Sequence, residues 1–181
     1  MRKLIFKTLT TAAIAAGLPE TINGKETVYE APVTISDQML PKPRIEIQIM
    51  DVAVKPSGRK LSKFPSPNKE TTHRTIRTAK DLIVQPVRMA IIANDEKWLE
   101  DFAHSLHSGL PRRVADRYNN NVSIQVEAVK SSGGGTKLVK IDLKTKLVKI
   151  FHIRFSGYVT TDSETPWIKD TDINTDYKRE G

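Results

Sequence analysis

The chain has 181 residues, no cysteine and a formal charge of +8. That length holds one ordinary domain with arms, and the lack of thiols excludes a disulfide framework, a thiolate zinc site and a cysteine nucleophile. An apolar fraction of 38% is low for a compact domain, so the core is expected to occupy only part of the chain.

The charge is unevenly placed. Residues 1–51 balance to zero, and residues 81–181 carry an excess of +1. The stretch 52–80 carries Lys55, Arg59, Lys60, Lys63, Lys69, Arg74, Arg77 and Lys80 against Glu70 alone, a balance of +7. A nucleic-acid surface usually interleaves such bases with stacking aromatics, and this stretch has only Phe64. A flexible basic loop meeting an acidic protein surface fits at least as well, and nucleic acid is not the expected partner.

At the N-terminus, Met1-Arg2-Lys3, the apolar Leu4-Ile5-Phe6 and the alanines around Ile14 resemble a secretory signal with Ala-Ile-Ala as cleavage site. Lys7 and three threonines interrupt it, and no run approaches the roughly 18 apolar residues of a membrane span. Residues 1–18 are therefore read as a short amphipathic helix or irregular arm, ended by Gly17 and Pro19 and packed on a neighbouring subunit. Residues 1–40 form this N-terminal arm together with an edge strand over Thr27–Ile35, where Pro32 removes a ladder donor.

A single β-rich domain is expected over 41–160. Ile45, Ile47 and Ile49 alternate with Glu46, Gln48 and Met50, the period-2 pattern of a half-buried strand. Four Pro and Gly residues among Ser, Lys and Asn predict a long basic loop at about 55–72. Residues 82–93 are an apolar β segment in which Pro86 demands an edge or a bulge. A helix follows at about 95–108, capped by Asn94 or Asp95. It carries Trp98, Leu99, Phe102, Ala103 and Leu106 as one apolar stripe, and Gly109 and Pro111 stop it. Val122, Ile124, Val126 and Ala128 mark the next strand, and 131–135 a glycine-rich hairpin turn. Thr136–Phe155 supplies return strands with Leu147, Phe151, Ile153 and Phe155 on one face, and an acidic tail occupies 161–181. The fold class is α+β, β-dominant: a small antiparallel β-barrel or sandwich with one amphipathic helix and extended N- and C-terminal arms.

Candidate sites fail on geometry. His104 and His107, three apart on a helix, have the spacing of a chelating pair, but no carboxylate is placed to complete the set. Gly133-Gly134-Gly135 lies between strands without the following helix that a phosphate cradle needs. Lys137–Ile141 recurs as Lys146–Ile150, and two copies make no solenoid. Lys144, Lys146, Lys149 and Arg154 read as a lysine-guarded sheet edge. Acid pairs such as Asp95/Glu96, Glu100/Asp101 and Asp170/Asp172 sit beside no apolar pocket that would split their pKa values. No enzyme, metal or cofactor is expected.

Asp81-Leu82-Ile83-Val84-Gln85-Pro86-Val87-Arg88-Met89-Ala90-Ile91-Ile92-Ala93 resembles the D-h-h-x-x-P-x-x-h-x-h-x-G strand of distal-tail-like baseplate proteins of contractile-tailed bacteriophages, a group that includes the ripcord component. The helix at 96–108, Tyr118-Asn119 before Val122, and the return at 138–150 occupy the places of that family's next elements, over about 75 residues. The family's upstream Ser-His motif is represented only by Thr72-His73, and its His-Pro-Val step is missing. The basic loop and acidic tail also exceed its pattern.

The resemblance implies a virion protein made in the host cytoplasm, in a ring that joins tail tube to baseplate. Its partners would be copies of itself and other tail-tube or baseplate proteins. Opposite charge suggests intersubunit contacts between Lys55, Arg59, Lys60 and Lys63 of one copy and Asp162, Glu164, Asp170 and Asp172 of the next. The alternatives are a tail terminator or connector, an exported or periplasmic binding module, and a basic ribosomal-like nucleic-acid-binding protein.

Overall fold

The computed structural model describes residues 1–31, 40–66, 73–131 and 147–166. The class is α+β with strands dominant, as the residue pattern leads one to expect. Helix α1 (Arg2–Ala15) precedes the short strands β1 (Thr21–Ile22), β2 (Lys25–Glu26) and β3 (Val28–Glu30). Then come β4 (Arg44–Ile49), β5 (Ala53–Pro65), β6 (His73–Ala93) and α2 (Glu96–Gly109). Strands β7 (Arg113–Ala115), β8 (Asn121–Ser131) and β9 (Leu147–Pro166) complete the described chain. β1 and β2 make a ribbon of their own; the other strands form one sheet of order β3-β4-β6-β9-β8-β7, with β5 also paired to β6. Where one domain is expected over 41–160, the chain makes two compact units: Met1–Lys55 with Leu82–Tyr158, and Pro56–Asp81 with Val159–Gly181.

The core lies in the first unit, on one face of the sheet. Period-2 alternation delivers Ile45 and Ile47 from β4, and Val87, Met89, Ile91 and Ala93 from β6. Val122 and Ile124 from β8 join them, with Phe151, Ile153 and Phe155 from β9. Both helices supply the opposing layer: Ile5, Leu9, Ala12 and Ala13 from α1, and Leu99, Phe102, Ala103 and Leu106 from α2. Burying one such large aliphatic or aromatic side chain contributes about 1.5–3 kcal/mol. Gly157 gives room here: a Cβ at that position would stand 3.1 Å from the Val122 side chain, which would have to shift by a few tenths of an ångström.

The N-terminal segment is thus not an arm but a core helix. Ile5, Leu9 and Ala13 are fully buried, and they recur at helical spacing. Its end is a Schellman arrangement: Leu18 N donates to Ala13 O and Gly17 N to Ile14 O, both at 3.0 Å. Gly17 has φ 108°, and Leu18, 2% exposed, plugs into the core behind it. The second helix follows expectation. Asp95 Oδ1 accepts from Trp98 N at 2.7 Å, and Trp98 stacks on Phe102 at a 4.7 Å centroid distance.

Pro86 lies in β6, one residue beyond its last paired position with β4. β6 runs between β4 and β9, and Ile49↔Val87 is the last β4–β6 pair. β4 turns its odd-numbered amides toward β3, as Ile45 N to Thr27 O shows, so the even-numbered residues face β6. Met50 continues that register: its N donates to Pro86 O at 3.1 Å. The return bond would come from an N–H that proline lacks. The buried Gln85 side chain supplies it, donating from Nε2 to Met50 O.

Residues 53–65, expected as part of a loop, are strand β5. Every residue of it except Phe64 is exposed, so composition alone reads it as loop. Pairing with β6 supplies the order that an apolar face would otherwise give. Residues 67–72 of the expected loop lie outside the described residues. Of the expected acidic tail, 161–166 belong to β9, while 167–181 lie outside the described residues. So do the glycine-rich 132–135 and most of the internal repeat.

Candidate interaction surface

In the second unit the described residues are the β5 segment, the first part of β6 and the last part of β9. Lys55, Arg59, Lys60 and Lys63, singled out by charge, all lie exposed on β5. None has an ion-pair partner among the described residues. β5 pairs with β6 along one edge, and no strand among the described residues covers the other. An open edge of this length offers a row of backbone donors and acceptors, which lysines commonly guard against indiscriminate pairing.

Asp162 and Glu164, the expected partners of those bases, are engaged within the second unit instead. Arg77 grips Asp162 with both arms of its guanidinium, Nε to Oδ1 and Nη2 to Oδ2, each at 2.8 Å. Hydrogen bonding to Arg77 holds the Asp162 carboxyl below the usual carboxylate range. The same guanidinium lies 5.6 Å from the centre of the Phe64 ring. Ser66 Oγ donates to Glu164, and Ser66 N to His73 O at 3.2 Å. Asp170 and Asp172 lie outside the described residues.

The helical histidines do not converge with other ligands. His104 and His107 are both exposed on α2, and the His107 ring packs 6.5 Å from Phe151. Among the described residues no three or more His, Cys, Asp or Glu side chains gather in a metal-binding cluster, and no helix is long and apolar enough to cross a membrane. Lys149 pairs with Glu100, and Arg154 with Glu127 at 3.0 Å, so both described members of the expected lysine-rich edge have acidic neighbours. Lys144 and Lys146 fall outside the described residues.

One cluster has no counterpart in the sequence reading. On the sheet face away from the helices, His152 of β9 lies opposite Ala128 of β8, beside a register shift between Val126 and Ala128. Burial lowers the His152 pKa, and the charges of Arg88 and Lys130 lower it further against the weaker pull of Glu127. In the turn between β7 and β8, Asp116 Oδ1 accepts from the backbone of both Tyr118 and Asn120 at 2.8 Å. Burial pushes that carboxyl up, but these bonds outweigh it and the pKa is lowered. The turn holds Tyr118 64% exposed, with the Arg117 guanidinium 4.6 Å from its ring centre.

Of the eight residues chosen by charge, Asp162 and Glu164 are the ones whose side chains bond a described partner, Asp162 to Arg77 and Glu164 to Ser66. No spacing rule points to Arg77, which lies 85 residues from Asp162. No protein-family model matches the chain, and no curated protein matches it in sequence.

Proposed function

We propose that the chain is a non-enzymatic structural subunit of a bacteriophage tail, built into a ring at the junction of tail tube and baseplate. The observation that carries this reading is β5, a thirteen-residue strand exposed along nearly all its length, paired among the described residues with β6 alone and bearing four bases. An isolated monomer gains little from such a strand, whereas a subunit in a fixed assembly uses it as a contact. The resemblance of 81–155 to distal-tail-like baseplate proteins supplies the kind of assembly.

A terminator or connector ring elsewhere on the tail is the second reading. It is favoured because α1, β3 and β4, which complete the core, lie outside the block that resembles the baseplate family.

Electron microscopy of the tailed particles encoded with this chain, using gold directed at a tag, tests both. Label in a ring at the baseplate end supports the first reading, and label at the head-proximal end the second. Particles without the chain overturn both.

A further inference from the structure

We infer that Arg88, His152 and Lys130 form a binding site for a single oxyanion, of carboxylate or phosphate type, on the sheet face away from the helices. The site lies wholly within the first unit and does not depend on any place in a ring.

The strand pattern puts the three bases on one face of adjacent strands. On β6, Val87 and Met89 point into the core, so Arg88 points out. On β9, Phe151 and Ile153 point in, so His152 points out. β9 lies between β6 and β8. His152 pairs with Ala128, and Lys130, two residues further along β8, lies diagonal to it. Such diagonal neighbours stand about 7–8 Å apart, within reach of a lysine side chain.

The acids around them are already engaged. On β4, Gln48 stands opposite Arg88, and Glu46 pairs with Arg44 at 2.9 Å. Glu127, the acid whose charge reaches His152, pairs with Arg154 at 3.0 Å. Arg88 and Lys130 both oppose protonation of the ring. Arg88 is half-buried, and its Nε is buried with no hydrogen-bond partner among the described residues. In a native fold such a donor is explained by strain, by chemistry or by a bound group. An oxyanion supplies the acceptor and offsets the repulsion among the three bases.

Glu46 on the neighbouring strand and Glu127 in the bulge favour one anionic group over the row of charges on a nucleic-acid backbone. Binding is also linked to protonation. The anion favours the imidazolium form of His152, and by reciprocity the protonated ring favours the anion.

The test follows the histidine ring signals of the full chain by NMR, with His152 assigned by the loss of its signals in His152→Gln. Sulfate, a dianion throughout the range used, and acetate are titrated separately, with sodium chloride holding the ionic strength constant. At least one of them is expected to move the His152 signals saturably and to raise the His152 pKa above its value in chloride. It should bind at least ~3-fold more tightly at about pH 5.5 than at about pH 8. Tighter acetate identifies the carboxylate class, and tighter sulfate the phosphate class.

Lys130→Gln, at an exposed position, should weaken binding at least ~3-fold, and Arg88→Gln at least ~10-fold, with Arg88→Lys in between. Lys97→Gln, exposed on α2, should leave affinity unchanged. Circular dichroism checks that each variant is folded.

A His152 response no larger than that to chloride alone overturns the inference, as does one that survives both Arg88→Gln and Lys130→Gln. So does duplex DNA that binds, with a steep salt dependence, where neither small anion does.

Discussion

Gln85 donates its side-chain amide to the carbonyl of Met50 at the one position where Pro86 cannot. Proline inside a sheet normally leaves a carbonyl of the neighbouring strand without its donor, which is why it keeps to edges and bulges. Here the residue next to it repairs the ladder. The proline falls directly after Ile49↔Val87, the last β4–β6 pair, so the Gln85 amide extends that ladder by one bond.

Replacing Gln85 with Leu should therefore cost about 1–3 kcal/mol in urea unfolding, because Met50 O is left without a partner. Pro86→Ala restores a backbone N–H in that place. In the Pro86→Ala background the Gln85→Leu cost should shrink by about 1 kcal/mol, a coupling that a double-mutant cycle reads directly. Equal costs in both backgrounds would show that the amide does not substitute for the missing donor.

The N-terminal helix predicts a sharp contrast between two leucines. Leu9 is fully buried in the core, so Leu9→Ala should cost about 2–5 kcal/mol. Leu61 is exposed on β5, and Leu61→Ala in the isolated chain should stay within about 0.5 kcal/mol. Denaturant midpoints measured in dilute solution separate the two. A mild effect at Leu9 would return the segment to the status of an arm.

Arg77 and Asp162 make the second unit sensitive to acid. Asp162 has a depressed carboxyl pKa in the fold, so its contribution is present above the unfolded value near 4 and is lost as pH falls through the folded value. Both side chains are partly exposed, at 30% and 40%, which limits the pair to about 1 kcal/mol at low salt. Hydrogen-exchange protection at 73–81, corrected for the intrinsic rate at each pH, should fall between pH 5 and pH 3 (roughly the carboxylate range). Asp162→Asn should give the lower protection at pH 5 and above and flatten the dependence.

His152 predicts a second, separate pH effect in the first unit. Its pKa is lowered from 6.5, so the fold favours the neutral ring. Stability from this group is complete above the unfolded pKa and declines as pH falls through the folded one. Thermal unfolding of the wild-type chain should weaken from about pH 7 to pH 5, and His152→Gln should reduce that slope. Arg88→Gln should also reduce it, because one of the charges opposing protonation is gone.

Much of the first unit was legible in local pattern. Alternation identified the strand around Ile45–Ile49 and the inward residues of β9, and the Asp95 cap with its apolar stripe located α2 within a residue at each end. Ile5, Leu9 and Ala13 recur at helical spacing, but that spacing is the same whether the apolar face meets this chain's own sheet or a neighbouring subunit. The strand β5 was hidden for a different reason. Periodicity reports which face is buried, and a strand in water on both faces has none to report.

The amino-acid order sufficed for the class of fold, for the one capped helix after residue 94 and for the isolation of positive charge in 52–80, because each is a property of neighbours along the chain. The partners of those charges required the folded chain. Arg77 reaches Asp162 across 85 residues, Lys149 reaches Glu100 across 49, and Gln85 reaches Met50 across 35. Such pairings depend on strand order and register, and these follow from how the sheet and two helices together close the core rather than from any local preference.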